Sequence, residues 1–562
     1  MISNGGYVTS TSTYVQGGGA STPLRVAART KKRLIVCCDG TWMDSDNGFV
    51  RPTLRHPKGT VQVPSNVTRI SRCFKRRCSD GSLQIISYES GVGTGSGAMD
   101  TITGGVFGLG LSERVHEAYS YLCANYTDGD EIILVGFSRG AFTCRSVAGM
   151  VANLGLLTRE GVEHFTPIFK DMQHWHDNDY KDPFPRTPFP RKPKGPHAAE
   201  EYRHRLEKMG YTRVVQQNGD LIRVKAVGVW DTVGSLGIPN IALLDKFDLS
   251  DRIEHAFQAL ALDETRAPFT PAVWERQPQN KLTTDLRQVW FPGNHGNCGG
   301  GWEDQGMANI TLAWMMDQLA SIGVEFDPVS LDRIIDNTFD YYEEESVEGE
   351  RKGTSPPPKW AVDEIYRRNR PIRPWGLGEI QRTTGVLFWL GGNSLRTPGM
   401  YRQTDPDTEL DKGTFLRDTN ERIHSSVRVR LACEGLALND RGRWNCRALS
   451  KWRMRRVPAR HRPPPSWEQN GRYDRRRSTS RRSMGGSVRG EGERWIWEYA
   501  GPDRGAPRQR IMIEEPIGPY ERHLLSVTGG RPNVYEYAER KASGRKSRRS
   551  RAYHDDIDVE YR

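Results

Sequence analysis

Long apolar runs are missing from this chain of 562 residues, of which 36% are hydrophobic. No run approaches the roughly 18 consecutive apolar residues that a membrane-spanning helix requires, so we expect no transmembrane segment. Residues 1–30 are rich in Gly, Ser and Thr and lack the apolar stretch of a secretory signal. We therefore expect a disordered leader there.

Cysteine is scarce, with nine residues in the whole sequence, and no Cys-x-x-Cys doublet occurs. An odd number of dispersed cysteines favours reduced thiols and a cytosolic or nuclear location, although Cys73 and Cys78 are close enough in sequence to pair. His164, His174 and His176 form the densest group of histidines, but they lack a second pair of ligands on a recognisable scaffold. We expect neither a metal nor a cofactor.

Positive charge predominates, because the sequence contains 81 Lys and Arg residues and 69 Asp and Glu residues, which leaves a net charge of +12. Much of the excess lies in the Arg-, Ser- and Gly-rich stretches 453–494 and 540–551, whose composition favours disorder. Such tails attract anionic membrane surfaces or bind nucleic acid without sequence preference. No zinc finger, RNA-recognition signature or heptad array accompanies them, so nucleic acid is not expected as a specific partner.

The most informative motif is Gly-Phe-Ser-Arg-Gly at 136–140, which closes the apolar run Glu131–Val135 and opens a helix-like pattern over Ala141–Val151. Gly-x-Ser-x-Gly between a strand and a helix is typical of the nucleophile elbow of serine hydrolases, where a Cβ at either glycine would crowd the backbone. Ser138 is therefore the candidate nucleophile, and the N–H of Arg139 is a candidate for the oxyanion hole. The alternative is a chance match to a short motif.

A catalytic serine needs a general base and an acid that orients the base. In α/β-hydrolases these residues follow the serine in the order Asp or Glu, then His, each after a later strand. Asp231 follows the strand-like run 221–230, and His295 lies in the glycine-rich loop 292–301 after the run Leu286–Phe291. They are the candidate acid and base, although an aspartate in this position is also common as a turn or cap residue.

Weaker candidates lie elsewhere in the sequence. His255 ranks second as the base, because its segment 251–260 has the spacing of a helix, on which a histidine is more often packed than catalytic. Asp39 follows the first apolar strand and could orient a loop, bind a metal or serve as the acid. The amide of Gly40 or Thr41 could supply the second donor of the oxyanion hole.

Six blocks follow one another along the sequence: Cys38–Trp42, Gly91–Thr94, Gly136–Ala141, Gly228–Gly234, His255–Arg266 and Trp290–Gly301. They resemble the uncharacterised α/β-hydrolase domain family that is related to the catalytic domain of bacterial type VI secretion phospholipase effectors. The resemblance implies an α/β-hydrolase core and hydrolysis of phospholipid esters. Members often carry an aspartate two residues after the histidine, where this protein has Asn297, so a carboxylate that would orient the loop or hold a cation is missing.

These observations predict an α/β protein with a mostly parallel, α/β-hydrolase-like sheet and helices on both faces. The catalytic domain is expected at 31–345, with a Pro-rich, lid-like insertion at about 160–215. Helix-like patterning predicts a helical appendage at 346–450. Residues 451–562 are expected to be a largely disordered basic region with a short ordered return near 494–528.

The sequence thus favours a serine hydrolase of carboxylic esters, with lipid or phospholipid esters as the substrates that the resemblance implies. In this hypothesis Ser138 attacks the ester, His295 transfers the proton and Asp231 holds the imidazole. The alternative is a weak or inactive α/β-hydrolase-fold protein that binds or scaffolds and keeps the elbow for packing.

Overall fold

A computed structural model describes most of the protein. Thr41, residues 1–28 of the predicted leader, and the basic stretches 459–492 and 543–562 lie outside them. The described residues are 29–40, 49–50, 60–61, 63–91, 106–195, 197–233, 248–351, 373–381, 392–404, 411–458, 493–529 and 533–542.

The secondary structure alternates between strands and helices over the first two thirds of the described residues. The strands are β1 Lys32–Cys38, β2 Phe49–Val50, β3 Thr60–Val61, β4 Leu83–Glu89, β5 Glu131–Phe137, β6 Leu156–Leu157, β7 Thr212–Arg213, β8 Val224–Trp230, β9 Asp248–Leu249, β10 Ile253–Ala261, β11 Glu275–Arg276, β12 Asp285–Phe291, β13 Arg402–Thr404, β14 Asp411–Phe415, β15 Glu421–His424, β16 Trp452–Pro458, β17 Glu493–Tyr499 and β18 Ile511–Glu515. The helices are α1 Asn66–Ser71, α2 Val106–Asn125, α3 Ser138–Leu154, α4 Arg159–Val162, α5 Phe165–Gln173, α6 Ala198–Lys208, α7 His295–Gly299, α8 Gly306–Ala320, α9 Ser330–Arg351, α10 Ser425–Ala432, α11 Pro519–Thr528 and α12 Val534–Ala542.

Ten of the strands form one sheet in the order β16-β17-β18-β15-β12-β10-β8-β5-β1-β4. The neighbouring pairs from β18 to β4 are parallel, whereas β17 pairs antiparallel with both β16 and β18 at one edge. A parallel sheet brings the carboxyl ends of its strands to one edge, which is where ligands bind in open α/β folds. The predicted mostly parallel α/β sheet is therefore confirmed.

Side chains of the central strands alternate between two apolar cores. Along β1, Ile35 and Cys37 belong to the core that contains α1, α8 and α9, whereas Leu34 and Val36 belong to the core that contains α2, α3, α5 and α6. Both sets are fully buried because helices cover both faces of the sheet, as is usual for parallel strands. Helices on both faces were predicted, and the two cores confirm them.

The predicted insertion at 160–215 forms α5, α6 and β7, which pairs with β6 just before it. Phe165 and Ile168 of α5, and Tyr202 and Leu206 of α6, are buried in the same core as α3. The described part of the insertion therefore belongs to the helical layer of the domain.

The described part of 346–450, where the sequence patterns predicted helices, contains strands as well as the helix α10. β15 pairs in parallel with β12 and so extends the central sheet, and β18 pairs with β15 on its other side. β15 is only four residues long, and it carries the buried polar residues Glu421 and His424. An apolar alternation is therefore hard to detect in the sequence.

All nine cysteines are free thiols, including Cys73 and Cys78, which are both buried. Within the described ranges, no helix has both the length and the apolar character that crossing a membrane requires.

We predict that the buried side chains of β15 stabilise the fold as part of the central sheet. Ile423 of β15 is 0% exposed, so Ile423→Ala removes buried methyl groups and should lower the free energy of unfolding by about 2–4 kcal/mol. Ile511 of β18 is 48% exposed, and the matched Ile511→Ala should cost less than about 1 kcal/mol. Urea unfolding followed by tryptophan fluorescence measures both. Equal losses would contradict the placement of β15 inside the sheet.

Candidate active site

The elbow begins where β5 ends and α3 starts. Ser138 is the first residue of α3 and has a φ of 56°, in the left-handed region that residues with a Cβ rarely adopt. The flanking glycines are required by close packing: a Cβ at Gly140 would lie 2.1 Å from the carbonyl oxygen of Cys38, and one at Gly136 would lie 2.6 Å from that of Gly140. The structure thus places Ser138 on a strained and closely packed strand-to-helix turn.

The other candidates end neighbouring strands of the same sheet. Asp39 and Gly40 follow β1, Asp231 follows β8, and His295 follows β12 after a short turn. β8 and β1 flank β5, and β12 is separated from β8 by β10 alone. A Cβ built on Gly40 would lie 3.3 Å from the Cβ of Ser138. The parallel sheet thus gathers these residues at the carboxyl edge of its central strands.

Asp231 and His295 form a direct hydrogen bond. The Nδ1 atom of His295 lies 2.7 Å from Oδ2 of Asp231, and Oδ1 of Asp231 accepts the N–H of Ala261 at 3.0 Å. Asp231 is 0% exposed and has a φ of 40°, so a strained backbone directs its carboxylate towards the histidine. This contact places Nδ1–H on the carboxylate and leaves Nε2 as the basic nitrogen of the ring.

Aromatic rings hold the imidazole of His295 in place. The ring of Phe137, the residue before Ser138, is centred 4.6 Å from it, and the ring of Phe269 meets it edge-on at 4.9 Å. The N–H of His295 donates to Glu264 Oε2 at 3.2 Å. The imidazole is therefore confined both by packing and by hydrogen bonds.

Asn297 completes the turn that carries His295. Its Oδ1 accepts the N–H of Asn294 at 3.1 Å, and the amide oxygen of Asn294 accepts the N–H of Asn297 at 3.2 Å, which is a reciprocal capping box. The Nδ2 of Asn297 also donates to the carbonyl of Glu379 at 2.8 Å. An aspartate could accept the hydrogen bond from the N–H of Asn294 but could not donate one to the carbonyl of Glu379. The amide at this position therefore suits the contact with Glu379.

Asp231 also pairs with an arginine that the sequence patterns did not single out. Arg396 donates from Nη1 to Oδ1 of Asp231 at 3.2 Å and from Nη2 to Oδ2 at 3.1 Å, and Nη2 also donates to the carbonyl of Phe269 at 2.6 Å. Burial by itself raises the pKa of Asp231, but Arg396 and His295 hold it down to about 2. The carboxylate is therefore ionised at neutral pH.

Asp39 is engaged in its own loop. It accepts hydrogen bonds from the hydroxyls of Ser65 at 2.6 Å, Thr68 at 2.7 Å and Tyr88 at 2.7 Å, and burial raises its pKa. The N–H of Gly40 donates to Oδ1 of Asp39 at 2.7 Å. Asp39 is therefore held within this loop by three hydroxyls, and the N–H of Gly40 is directed at that carboxylate.

The remaining oxyanion candidate lies in the first turn of α3. Arg139 follows Ser138 directly, and the N-cap residue is Phe137, whose apolar ring offers no acceptor to the first turn. The backbone amides at the start of α3 are thus oriented by the helix towards the end of β5. Thr41, the other candidate, lies outside the described residues.

His255 is remote from Ser138. The helical interpretation of 251–260 is wrong, because His255 is the third residue of β10, near the end of the strand opposite to the carboxyl edge. Its Nδ1 lies 3.8 Å from Asp285 Oδ2, at the start of β12. Nearly all residues of β10 are buried because helices cover both faces of the sheet, and this continuous burial removes the alternation by which a strand is recognised.

Metal ligands are not grouped in the part of the protein that the structure describes: no three His, Cys, Asp or Glu side chains there could jointly hold a metal ion. His174 stacks on Tyr180, and His164 lies against the ring of Tyr211. Aromatic rings therefore pack against both of these histidines.

Comparison with known proteins confirms the resemblance seen in the sequence. Residues 32–318 match the family model described as T6SS, phospholipase effector Tle1-like, catalytic domain. The uncharacterized protein YEL023C of Saccharomyces cerevisiae is 20% identical, over 56% of this chain and 60% of its own length. The chain therefore spans about 60% of the curated relative that it matches. A crystal structure of an uncharacterized protein from Pseudomonas aeruginosa matches at 15% identity with a TM-score of 0.32, covering 56% of this chain and 49% of that one.

The pKa of Asp231 predicts how acid destabilises the protein. The folded value is about 2 and the ordinary value is 3.8, so the carboxylate stabilises the fold above about pH 4 and loses this contribution as the pH falls towards 2. The free energy of unfolding of Asp231→Asn should therefore fall by about 2 kcal/mol less than that of the wild type over that interval. Chemical unfolding at a series of pH values measures the difference.

Asp263 provides a control of opposite sign. Burial raises its pKa even though Trp444 and the N–H of Gly293 donate to it, so its contribution is present at low pH and is lost as the pH rises. Asp263→Asn should therefore be destabilised by acid more steeply than the wild type. If the free energy of unfolding of Asp231→Asn fell with acid as steeply as that of the wild type, the ionised state of Asp231 would be contradicted.

Proposed function

Because the chain belongs to the family of T6SS Tle1-like phospholipase effector catalytic domains, we propose that it is a serine hydrolase that cleaves carboxylic esters of lipids, with phospholipids as the main substrates. The observation that supports this most is the hydrogen bond between Asp231 and His295 at the sheet edge where the strained turn carries Ser138. A buried carboxylate that orients an imidazole at the sheet edge that also carries a serine on a strained turn supports activation of that hydroxyl.

The reaction proceeds in two steps. Nε2 of His295 takes the proton of Ser138 as the oxygen forms a bond to the ester carbonyl carbon, and the carbonyl electrons move onto the carbonyl oxygen. When these electrons return from the oxygen and re-form the carbonyl, the bond between the carbonyl carbon and the alcohol oxygen breaks. The alcohol leaves with the proton from His295. Water then attacks the acyl-serine with His295 as base, and the fatty acid is released while Ser138 recovers its proton.

The developing oxyanion requires backbone donors. We assign the first to the N–H of Arg139, because it follows the nucleophile and starts α3, whose dipole favours negative charge there. The second donor is proposed to come from the loop after β1, from Gly40 or Thr41. Since the N–H of Gly40 now donates to Asp39, its use would require a small rotation of that peptide.

Lipid as the substrate class is supported by the family and by two secondary features. The imidazole lies between the apolar rings of Phe137 and Phe269, which suit the acyl part of an ester better than a polar substrate. The basic composition of 453–494 and 540–551 would attract an anionic membrane surface by about 1 kcal/mol per Lys or Arg near that surface. A cytosolic or nuclear location, as the cysteine usage predicted, would give these tails access to such a surface.

We predict that the protein releases fatty acid from mixed vesicles of phosphatidylcholine and phosphatidylglycerol, with turnover that depends on Ser138. Ser138→Ala should lower kcat at least about a thousandfold, because the attacking oxygen is lost. Mass spectrometry of the released fatty acid measures the rate.

Ser146 provides the matched control on the same helix. It is buried, and its hydroxyl has no hydrogen-bond partner among the described residues, so Ser146→Ala should retain activity within about twofold. Fatty acid release that survives in Ser138→Ala would contradict the proposed nucleophile. Vesicle binding without release in the wild type would favour the alternative of a lipid-binding scaffold.

A further inference from the structure

The carboxylate of Asp231 is held by residues from two different parts of the sequence. Ala261 and His295 lie within residues 32–318, which match the family model, whereas Arg396 lies well beyond that range. We propose, on the basis of the proposed function, that Arg396 is a positioning residue for the Asp231–His295 pair and that catalysis therefore depends on residues that follow the family-model match.

The segment that carries Arg396 is fixed on both sides of the site. On one side the N–H of Ser394 donates to the carbonyl of Thr265 at 2.8 Å, and the N–H of Ala267 donates to the carbonyl of Gly392 at 3.1 Å. On the other side the N–H of Gly399 donates to Glu421 of β15 at 2.8 Å. Contacts with the loop after β10 and with β15 therefore hold the backbone on both sides of Arg396.

The contacts of Arg396 fix the plane of the carboxylate. Its two terminal nitrogens each reach one oxygen of Asp231, so each oxygen accepts two hydrogen bonds, from Arg396 and Ala261 or from Arg396 and His295. Arg396 is 3% exposed, and burying a guanidinium is costly unless it is paired and hydrogen-bonded. A forked donor in this place restrains the rotation of the carboxylate that orients the imidazole.

Arg396 also opposes uptake of a proton by the Asp231–His295 pair. Its charge is close to both members, and the net effect of Arg396 and His295 is to lower the pKa of Asp231 despite burial. Loss of the guanidinium would remove the cation that contacts both oxygens of Asp231, which favours protonation of the pair. The titratable and charged groups around the pair include Arg396, Cys298, Tyr401 and Glu264, and Glu264 is itself paired with Arg266 at 2.8 Å.

The decisive experiment compares full-length Arg396→Met with the wild type across pH. Without the positive charge the pair takes up a proton more easily, so the acid limb of kcat/KM for a chromogenic short-chain ester should move up by about one to three pH units. At the optimum, kcat/KM should fall about 10- to 100-fold, because the imidazole is less well oriented. An acid limb that stays at the wild-type pH would overturn the proposal.

Arg428→Met is the matched control. Arg428 of α10 is 0% exposed and makes a forked pair with Glu514 at 2.8 and 2.9 Å. Its loss should destabilise the fold to a similar degree and leave the pH profile unchanged. A shift of the acid limb in Arg428→Met that equals the shift in Arg396→Met would show that general destabilisation causes it, and would overturn the role of Arg396.

Arg396→Lys covers the case in which Arg396→Met fails to fold. Lysine keeps the charge and loses the fork, so the acid limb should stay within about half a pH unit of the wild type while kcat falls about tenfold or more at unchanged KM. If Arg396→Lys kept the kcat of the wild type, the positioning role of Arg396 would be overturned.

A titration that does not depend on turnover separates this proposal from the proposed function. Nitrogen NMR of histidine-labelled protein, with the His295 signal assigned by its loss in His295→Ala, reports when the ring takes up a proton. The titration should move to higher pH in Arg396→Met, whether or not the wild type hydrolyses an ester. A wild type without hydrolysis would refute the proposed function, and an unmoved titration would refute the role of Arg396.

Discussion

The ionised carboxylate of Asp231 is the feature on which the rest of the site depends. It is fully buried, where a charge is stable only with close partners, and it receives hydrogen bonds from His295, Arg396 and the N–H of Ala261. These partners come from the end of β12, from the segment after residue 392 and from the end of β10. One buried charge thus requires several separate parts of the sequence to meet at the same edge of the sheet.

The central residues of the site could be predicted from the sequence, because each one ends an apolar strand. Ser138, Asp231 and His295 follow β5, β8 and β12, and a parallel sheet brings such ends together whatever their separation in sequence. Their catalytic roles stay predictions. The structure contributes the hydrogen bond between the last two and the left-handed backbone at Ser138.

Other features left no pattern that a sequence could reveal. Arg396 lies 165 residues after Asp231 and belongs to no motif, so only the folded protein connects them. His255 was misplaced on a helix, because a strand buried on both faces has no alternation of polar and apolar residues. β15 is short and contains buried polar residues, which hid its place in the sheet. In each case tertiary packing supplies the information that local periodicity lacks.

The most direct test of the account is to react the protein with a fluorophosphonate, which forms a covalent bond only with an activated hydroxyl, and to locate the adduct by peptide mass spectrometry. We expect an adduct on Ser138 in the wild type that forms at least about a hundredfold more slowly in His295→Ala, since the base is lost. An adduct on another residue, or equal rates in the two proteins, would contradict activation of Ser138 by the Asp231–His295 pair.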